Sequence, residues 1–145
     1  MLDKIKSIVR SNKVCVLATV AGEVPHCSLM SYAVDEECRE VYMMAGRGTK
    51  KIDNMQKNNA VCLLIDTRTE TDGENLSDVN ALTVTGTFQR IDNPDQRRRV
   101  TEKLTQIHPH LADLSKQEDV EVFAVRMHSC QLLQGVADAH FESME

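Results

Sequence analysis

The residues best placed to do chemistry are Gly46-Arg47-Gly48-Thr49-Lys50-Lys51, which stand between a strand-like run and a helical one. Three cations fall within these few residues. A helix N-terminus carries roughly half a positive charge, so each lysine in a first turn costs about 0.3–1 kcal/mol unless an anion compensates. A phosphate dianion would reverse that sign. Backbone N–H groups, the Thr49 hydroxyl and the Lys50 and Lys51 ammonium groups could converge on it, with Gly48 letting the backbone approach. Taken alone, so short a run favours a plainer arrangement, in which Thr49 caps the helix and the cations face water. The segment is not a Walker loop, since G-x-x-x-x-G-K-[ST] is missing, nor a dinucleotide fingerprint, since Gly46-x-Gly48 has no third glycine.

Other reactive side chains form no recognisable constellation. His26, His108, His110, His128 and His140 have no metal-like spacing beyond His108-x-His110, so surface or capping histidines are expected and no metal site. Cys15, Cys27, Cys38, Cys62 and Cys130 are odd in number and include no C-x-x-C pair. That disfavours disulfides and zinc and leaves free thiols, with Cys15 and Cys62 buried in apolar runs. Arg97-Arg98-Arg99 would be splayed about 100° apart on a helix, which predicts a solvated face rather than one cationic stripe. No nucleophile, dyad or carboxylate pair stands out.

The elements that must position these residues follow from periodicity. Leu2, Ile5, Ile8 and Val9 recur at helical spacing over residues 2–11. The runs 14–20 and 24–34, joined through Ala21-Gly22-Glu23, read as a β-hairpin, and a third strand covers 41–45. Ile52 and Met55 mark the buried side of a helix over 50–57, followed by a strand over 60–65. Residues 66–79 are polar and read as a mobile loop between strands. From 81 to 88, Leu82, Val84 and Phe88 point one way and Thr83, Thr85 and Thr87 the other. Gly86 falls on the apolar face, where a missing side chain suggests a bend, a bulge or a close approach. Asn93-Pro94-Asp95-Gln96 supplies an N-cap and a first-turn proline for a helix through Val100, Leu104 and Ile107. Pro109 interrupts it, Leu111 and Leu114 suggest a further turn, and a last strand runs from 120 to 127 or, at most, to 135.

Consecutive strands without intervening helices argue against a Rossmann core. The expectation is a mainly β protein, a six-stranded antiparallel split barrel with peripheral helices in a single domain over residues 1–145. Composition agrees: of 145 residues, 41% are hydrophobic and 27% charged, enough for an ordinary buried core. Aromatics at 3% and a formal charge of -5 exclude a stacking platform or coating surface for nucleic acid. No run is long and apolar enough to cross a bilayer and the N-terminus has no signal-peptide pattern, so a cytoplasmic location is expected.

The order of helix, strand, Gly22-x-x-Pro25, long strand, short strand, Gly48-Thr49-Lys50-Lys51-x-x-Asn54 and the run 59–65 resembles the pyridoxamine 5'-phosphate oxidase-like FMN-binding split-barrel family. The resemblance covers residues 1 to about 91. It implies that Gly48, Thr49, Lys50 and Lys51, with Arg47, grip the FMN phosphate, where the family has G-S-R-K. Threonine keeps the hydroxyl and lysine keeps the charge, although it loses the bidentate fork of arginine. The resemblance further implies that the flavin ring lies along Ser28, Leu29 and Met30 on the second strand and Met43, Met44 and Ala45 on the third. Met30, Met43, Met44 and Met127 could then adapt around it or serve as core filler. Ser28 and Ala33 stand where vitamin-making members carry an arginine and a lysine, and Arg126-Met127-His128 is similar to their substrate-binding Arg-x-His pair.

A flavin does the redox chemistry itself, which accounts for the absence of a catalytic constellation. The resemblance implies an FMN-dependent oxidoreductase acting on a small substrate, as a homodimer with both flavins at the interface. An FMN-binding electron carrier is the alternative within the same chemistry. Haem binding or degradation, with His128 or His140 as axial ligand, is the alternative outside it.

Overall fold

Alternation along the strand-like runs sends one side of each strand inward, and the computed structural model, which describes residues 1–70 and 75–145, turns those sides into one core. Helix α1 (Leu2–Ser11) buries Ile5, Ile8 and Val9. β1 (Val14–Ala21), β2 (Val24–Ser31), β3 (Ala33–Val34) and β4 (Glu40–Gly46) follow, then α2 (Lys50–Lys57), β5 (Ala60–Asp66) and β6 (Asn80–Arg90). The chain ends with α3 (Pro94–Ile107), α4 (Ala112–Ser115), β7 (Val120–Gln134) and β8 (Asp138–Ser143). As the sequence predicts, the Asn93 side chain accepts from the Gln96 N–H at the start of α3, with Pro94 in its first turn.

All pairings are antiparallel, in the order β2-β1-β5-β6-β7-β4-β3, with β8 added to β7. Only Tyr32 separates β2 at one end of this order from β3 at the other, so the sheet curls until its ends meet. The mainly β split-barrel class therefore holds, with eight strand segments among the described residues rather than six. One addition comes from a break in the long second strand. Tyr32 keeps its N–H on the β1 side, donating to the Lys13 carbonyl at 3.0 Å, while its hydroxyl donates to the Val9 carbonyl at 2.6 Å and its own carbonyl accepts from buried His108 Nε2 at 2.8 Å. That corrects the expectation of a surface or capping ring at His108. The other addition is β8, and β7 runs to Gln134, close to the longer of the two ends expected for the last strand.

Two apolar clusters result. The larger fills the barrel and includes Leu17, Met30, Met43, Ala45, Leu63, Leu82, Val84 and Met127. The smaller lies outside it, where α3 and α4 cover β4 and the first half of β7 with Val100 and Leu104 over Met44, Val122 and Ala124. Arg98 and Arg99 are exposed as the expected solvated face, whereas Arg97 is half-buried and its Nη2 donates to the Val120 carbonyl at 2.6 Å. Cys15 is buried and Cys62 half-buried, and all five cysteines are free.

Gly86 faces the barrel beside a bulge. Thr85 pairs with Ser129 and Gly86 with Met127, so His128 is the extra residue. A Cβ at Gly86 would stand 2.6 Å from the Arg126 carbonyl oxygen and 2.7 Å from Val125 Cγ1. Within the polar stretch 66–79, residues 71–74 lie outside the described residues. The remainder is not plain loop: Asp66 ends β5, and short 3-10 turns form at 68–70 and 76–78. Thr67 N–H donates to the Asn80 carbonyl at 3.0 Å, and Asn80 N–H donates to Thr67 Oγ1 at 2.8 Å, which ties the two ends together.

Candidate functional site

The break at Tyr32 opens the barrel. β3 pairs with β4 through Ala33 with Tyr42 and Val34 with Val41, and there the ladder stops. From Ser31 back to Val24, β2 pairs with β1 alone, while Met43 to Gly46 of β4 pair with β7 alone. Had the β3–β4 register continued, Met30 would oppose Ala45 and Leu29 would oppose Gly46. Instead the two strands diverge into a split whose lips each carry backbone N–H and C=O groups without a strand partner. Such groups are strong hydrogen-bonding sites, and a planar ligand edge can take the place of the missing strand.

The sequence-predicted residues fall on these two lips. On β2, Met30 is buried in the barrel, Ser28 is half-buried and Leu29 is 76% exposed on the outer side. On β4, Met43 and Ala45 belong to the barrel core and Met44 to the outer cluster, all almost fully buried. β4 therefore presents mainly backbone to the split. At the closed end, burial and the neighbouring Glu40 carboxylate push the Tyr42 phenol up to about 12, so it remains a neutral donor, 3.4 Å from Glu40 Oε2.

At the open end of β4 lies the Gly46–Lys51 corner. The Arg47 N–H donates to the Asp119 carbonyl at 2.8 Å, and the Thr49 N–H donates to the Gly46 carbonyl at 3.2 Å. Thr49 occupies the N-cap position, but its hydroxyl donates back to the Gly46 carbonyl at 2.7 Å rather than capping α2. Arg47 is not a free cation. Its Nε is 3.2 Å from Glu121 Oε2, and the same buried carboxylate holds Arg90 Nε at 3.3 Å. Sequence reasoning passed over Glu121, although a carboxylate inside the apolar run 120–125 was a signal that a cation had to meet it. Lys50 and Lys51 are the cations left over, with no ion pair or hydrogen bond among the described residues, at the first turn of a helix whose N–H groups point the same way. No atom lies within 4 Å of where a Cβ on Gly48 would be. Two unneutralised ammonium groups, orphan N–H groups and open space form a donor set that suits a phosphate dianion.

A second feature surrounds the split. Leu29, Val16, Leu64, Thr83, Gln131 and Phe141 lie in one cross-strand row over β2, β1, β5, β6, β7 and β8. The row lies on the outer side, where α3 and α4 do not reach, and Leu29, Leu64 and Phe141 are exposed. The candidate histidines stand apart from the corner. His128 at the bulge has Nε2 2.7 Å from Thr87 Oγ1 and Nδ1 2.5 Å from Glu145 Oε1, and His140 Nε2 is 3.4 Å from Asp138 Oδ1. Arg126 Nη1 is 3.9 Å from Glu40 Oε1.

Comparison with known proteins agrees with this architecture. A haem-binding protein from Mycobacterium smegmatis superposes with a TM-score of 0.83 at 14% identity, over 95% of this chain and 55% of that one. The chain thus spans little more than half the length of that relative. A Listeria innocua protein provisionally assigned as a pyridoxamine 5'-phosphate oxidase gives a TM-score of 0.70 at 21% identity, over 91% of this chain and 97% of that one. An FAD-binding protein from Mesorhizobium loti gives 0.72 at 14% identity, over 90% and 91%. No curated protein matches in sequence. The family model for pyridoxamine 5'-phosphate oxidase matches residues 1–134, and this chain belongs to that family.

Proposed function

We propose that the protein is an FMN-dependent oxidoreductase acting on a small substrate, and that it works as a cytoplasmic homodimer with its flavin sites at the subunit interface. The observation that carries this reading is the coincidence, at one split, of an unneutralised lysine corner with two lips of unpaired backbone. Flavin bound there would supply hydride or electron transfer. Lys50 and Lys51 would hold the phosphate, joined by Thr49 once its hydroxyl turns from the Gly46 carbonyl. Backbone along Ser28 to Met30 and Met43 to Ala45 orients the ring, and the buried methionines beside it exclude water.

The decisive experiment is purification followed by release of the cofactor. Yellow protein with flavin bands, yielding FMN on denaturation, supports the reading. Colourless protein that takes up no FMN on reconstitution ends it. Reduction by a nicotinamide nucleotide with no acceptor beyond oxygen would reduce the reading to an electron carrier.

The uncovered row across the sheet supports the dimer, because Leu29, Val16 and Leu64 on the adjacent strands β2, β1 and β5 form a contiguous apolar patch of the kind that marks an interface, with Phe141 beyond Thr83 and Gln131 at the far end of the row. Leu64 lies near its middle, so Leu64→Glu is expected to weaken self-association by at least about thirtyfold, the effect of truncating a central anchor worth roughly 2 kcal/mol. Light scattering over a concentration series reads this directly. A monomeric wild type, or a variant that dimerises unchanged, would refute the interface.

Haem binding is the second reading, favoured by the likeness to the Mycobacterium smegmatis haem-binding protein. Its candidate ligands offer less support. Both His128 ring nitrogens are engaged, whereas His140 Nε2, 3.4 Å from Asp138 Oδ1, makes no hydrogen bond among the described residues and is the nitrogen open to a ligand. A Soret band lost in a His128→Ala or His140→Ala variant would displace the flavin reading.

A further inference from the structure

Resting on the flavin reading, we infer that His26 supplies the phosphate contact from the β2 side of the split. β2 reads Val-Pro-His-Cys-Ser-Leu-Met-Ser, with no lysine or arginine, so this lip offers one ring base and no fixed cation. The register places His26 opposite Thr19 of β1, on the inward side shared with Ser28 and Met30. Thr19 is buried, and its hydroxyl accepts from Asn54 Nδ2 of α2 at 3.1 Å. Asn54 lies three residues after Lys51, one turn along the same helix face. The Thr19–Asn54 bond therefore brings the His26 end of β2 and the lysine turn of α2 to the same end of the split.

One atom at that place is unaccounted for. His26 is half-buried, and its Nδ1 is closed from solvent with no hydrogen-bond partner among the described residues. A buried polar atom left unsatisfied loses its hydration without recompense, so it calls for a partner. A phosphate oxygen held by Lys50, Lys51 and the α2 N–H groups would accept from an Nδ1–H. His26 would then serve, two residues earlier and on the same face, where Ser28 lacks a charge.

The test titrates the full-length apo chain with FMN, riboflavin and inorganic phosphate. His26→Ala is expected to lose about tenfold in FMN affinity, as for one charge-assisted hydrogen bond, and to leave riboflavin affinity unchanged. His26→Lys should recover much of the loss. In the wild type, the His26 ring nitrogen resonances should move with FMN and with inorganic phosphate but not with riboflavin, which decides the matter even where a variant folds poorly. Unmoved resonances in wild type that binds FMN, or equal losses for FMN and riboflavin in His26→Ala, would overturn the role of His26 alone. Wild type that binds no FMN would overturn the flavin reading and this role together.

Discussion

Lys51→Glu is expected to weaken FMN binding by about a hundredfold while barely altering riboflavin, which has the same ring but no phosphate. Removing a charge-assisted hydrogen bond costs about 1.5–3 kcal/mol, and the new carboxylate adds repulsion toward a dianion, so a total near 3 kcal/mol is reasonable. Lys51 is half-buried and without a partner among the described residues, at a helix start where a cation is already disfavoured. Flavin fluorescence quenching with both ligands measures the difference. Lys50→Glu should act in the same direction but less severely, because Lys50 is exposed and its field is more strongly screened by salt. If FMN and riboflavin affinities fall together in either variant, the substitution has damaged the fold; if neither falls in a folded variant, the phosphate corner lies elsewhere.

Gly86→Ala is expected to destabilise the protein by about 2–3 kcal/mol, at the upper end for overpacking, and to lower its Tm by several degrees. The added methyl would meet the Arg126 carbonyl at 2.6 Å and Val125 Cγ1 at 2.7 Å, one of them backbone that moves only with β7. Since β7 pairs with β4, β6 and β8, a shift there disturbs the sheet from several sides. Thermal unfolding monitored by circular dichroism would settle it, and a variant as stable as wild type would mean that the bulge yields at little cost. His128, the extra residue of that bulge, should report the strain through its hydrogen bond to Thr87.

Much of the architecture is legible because its periodicities are strong. Ile5, Ile8 and Val9 mark α1, the alternation through Leu82, Val84 and Phe88 marks β6, and Asn93-Pro94 marks the start of α3, each where the structure has it. Gly86 stands out because it interrupts an apolar face, and the structure supplies both the bulge and the close approach. β8 left no such trace. Its one large apolar residue, Phe141, points outward, and the strand is held by its ladder to β7 rather than by a buried face. The turn before it carried the available hint, since Gly135 adopts a positive φ that favours glycine.

The candidate site divides along the same line. Local chemistry determined the turn between β4 and α2, because strand periodicity, glycine content and clustered cations act over a few residues and need no distant partner. Only the folded chain decided that Glu121, 74 residues away, would neutralise Arg47 and leave Lys50 and Lys51 free. Likewise, β2 and β4 become the lips of one split because the β3–β4 ladder ends at Ala33, beside a Tyr32 held by Val9 and His108, and the unsatisfied nitrogen of His26 exists only in the folded chain. Propensity and pattern are properties of neighbours along the chain. Whether a charge is cancelled, a strand edge unpaired or a ring nitrogen unsatisfied depends on residues that meet only in three dimensions.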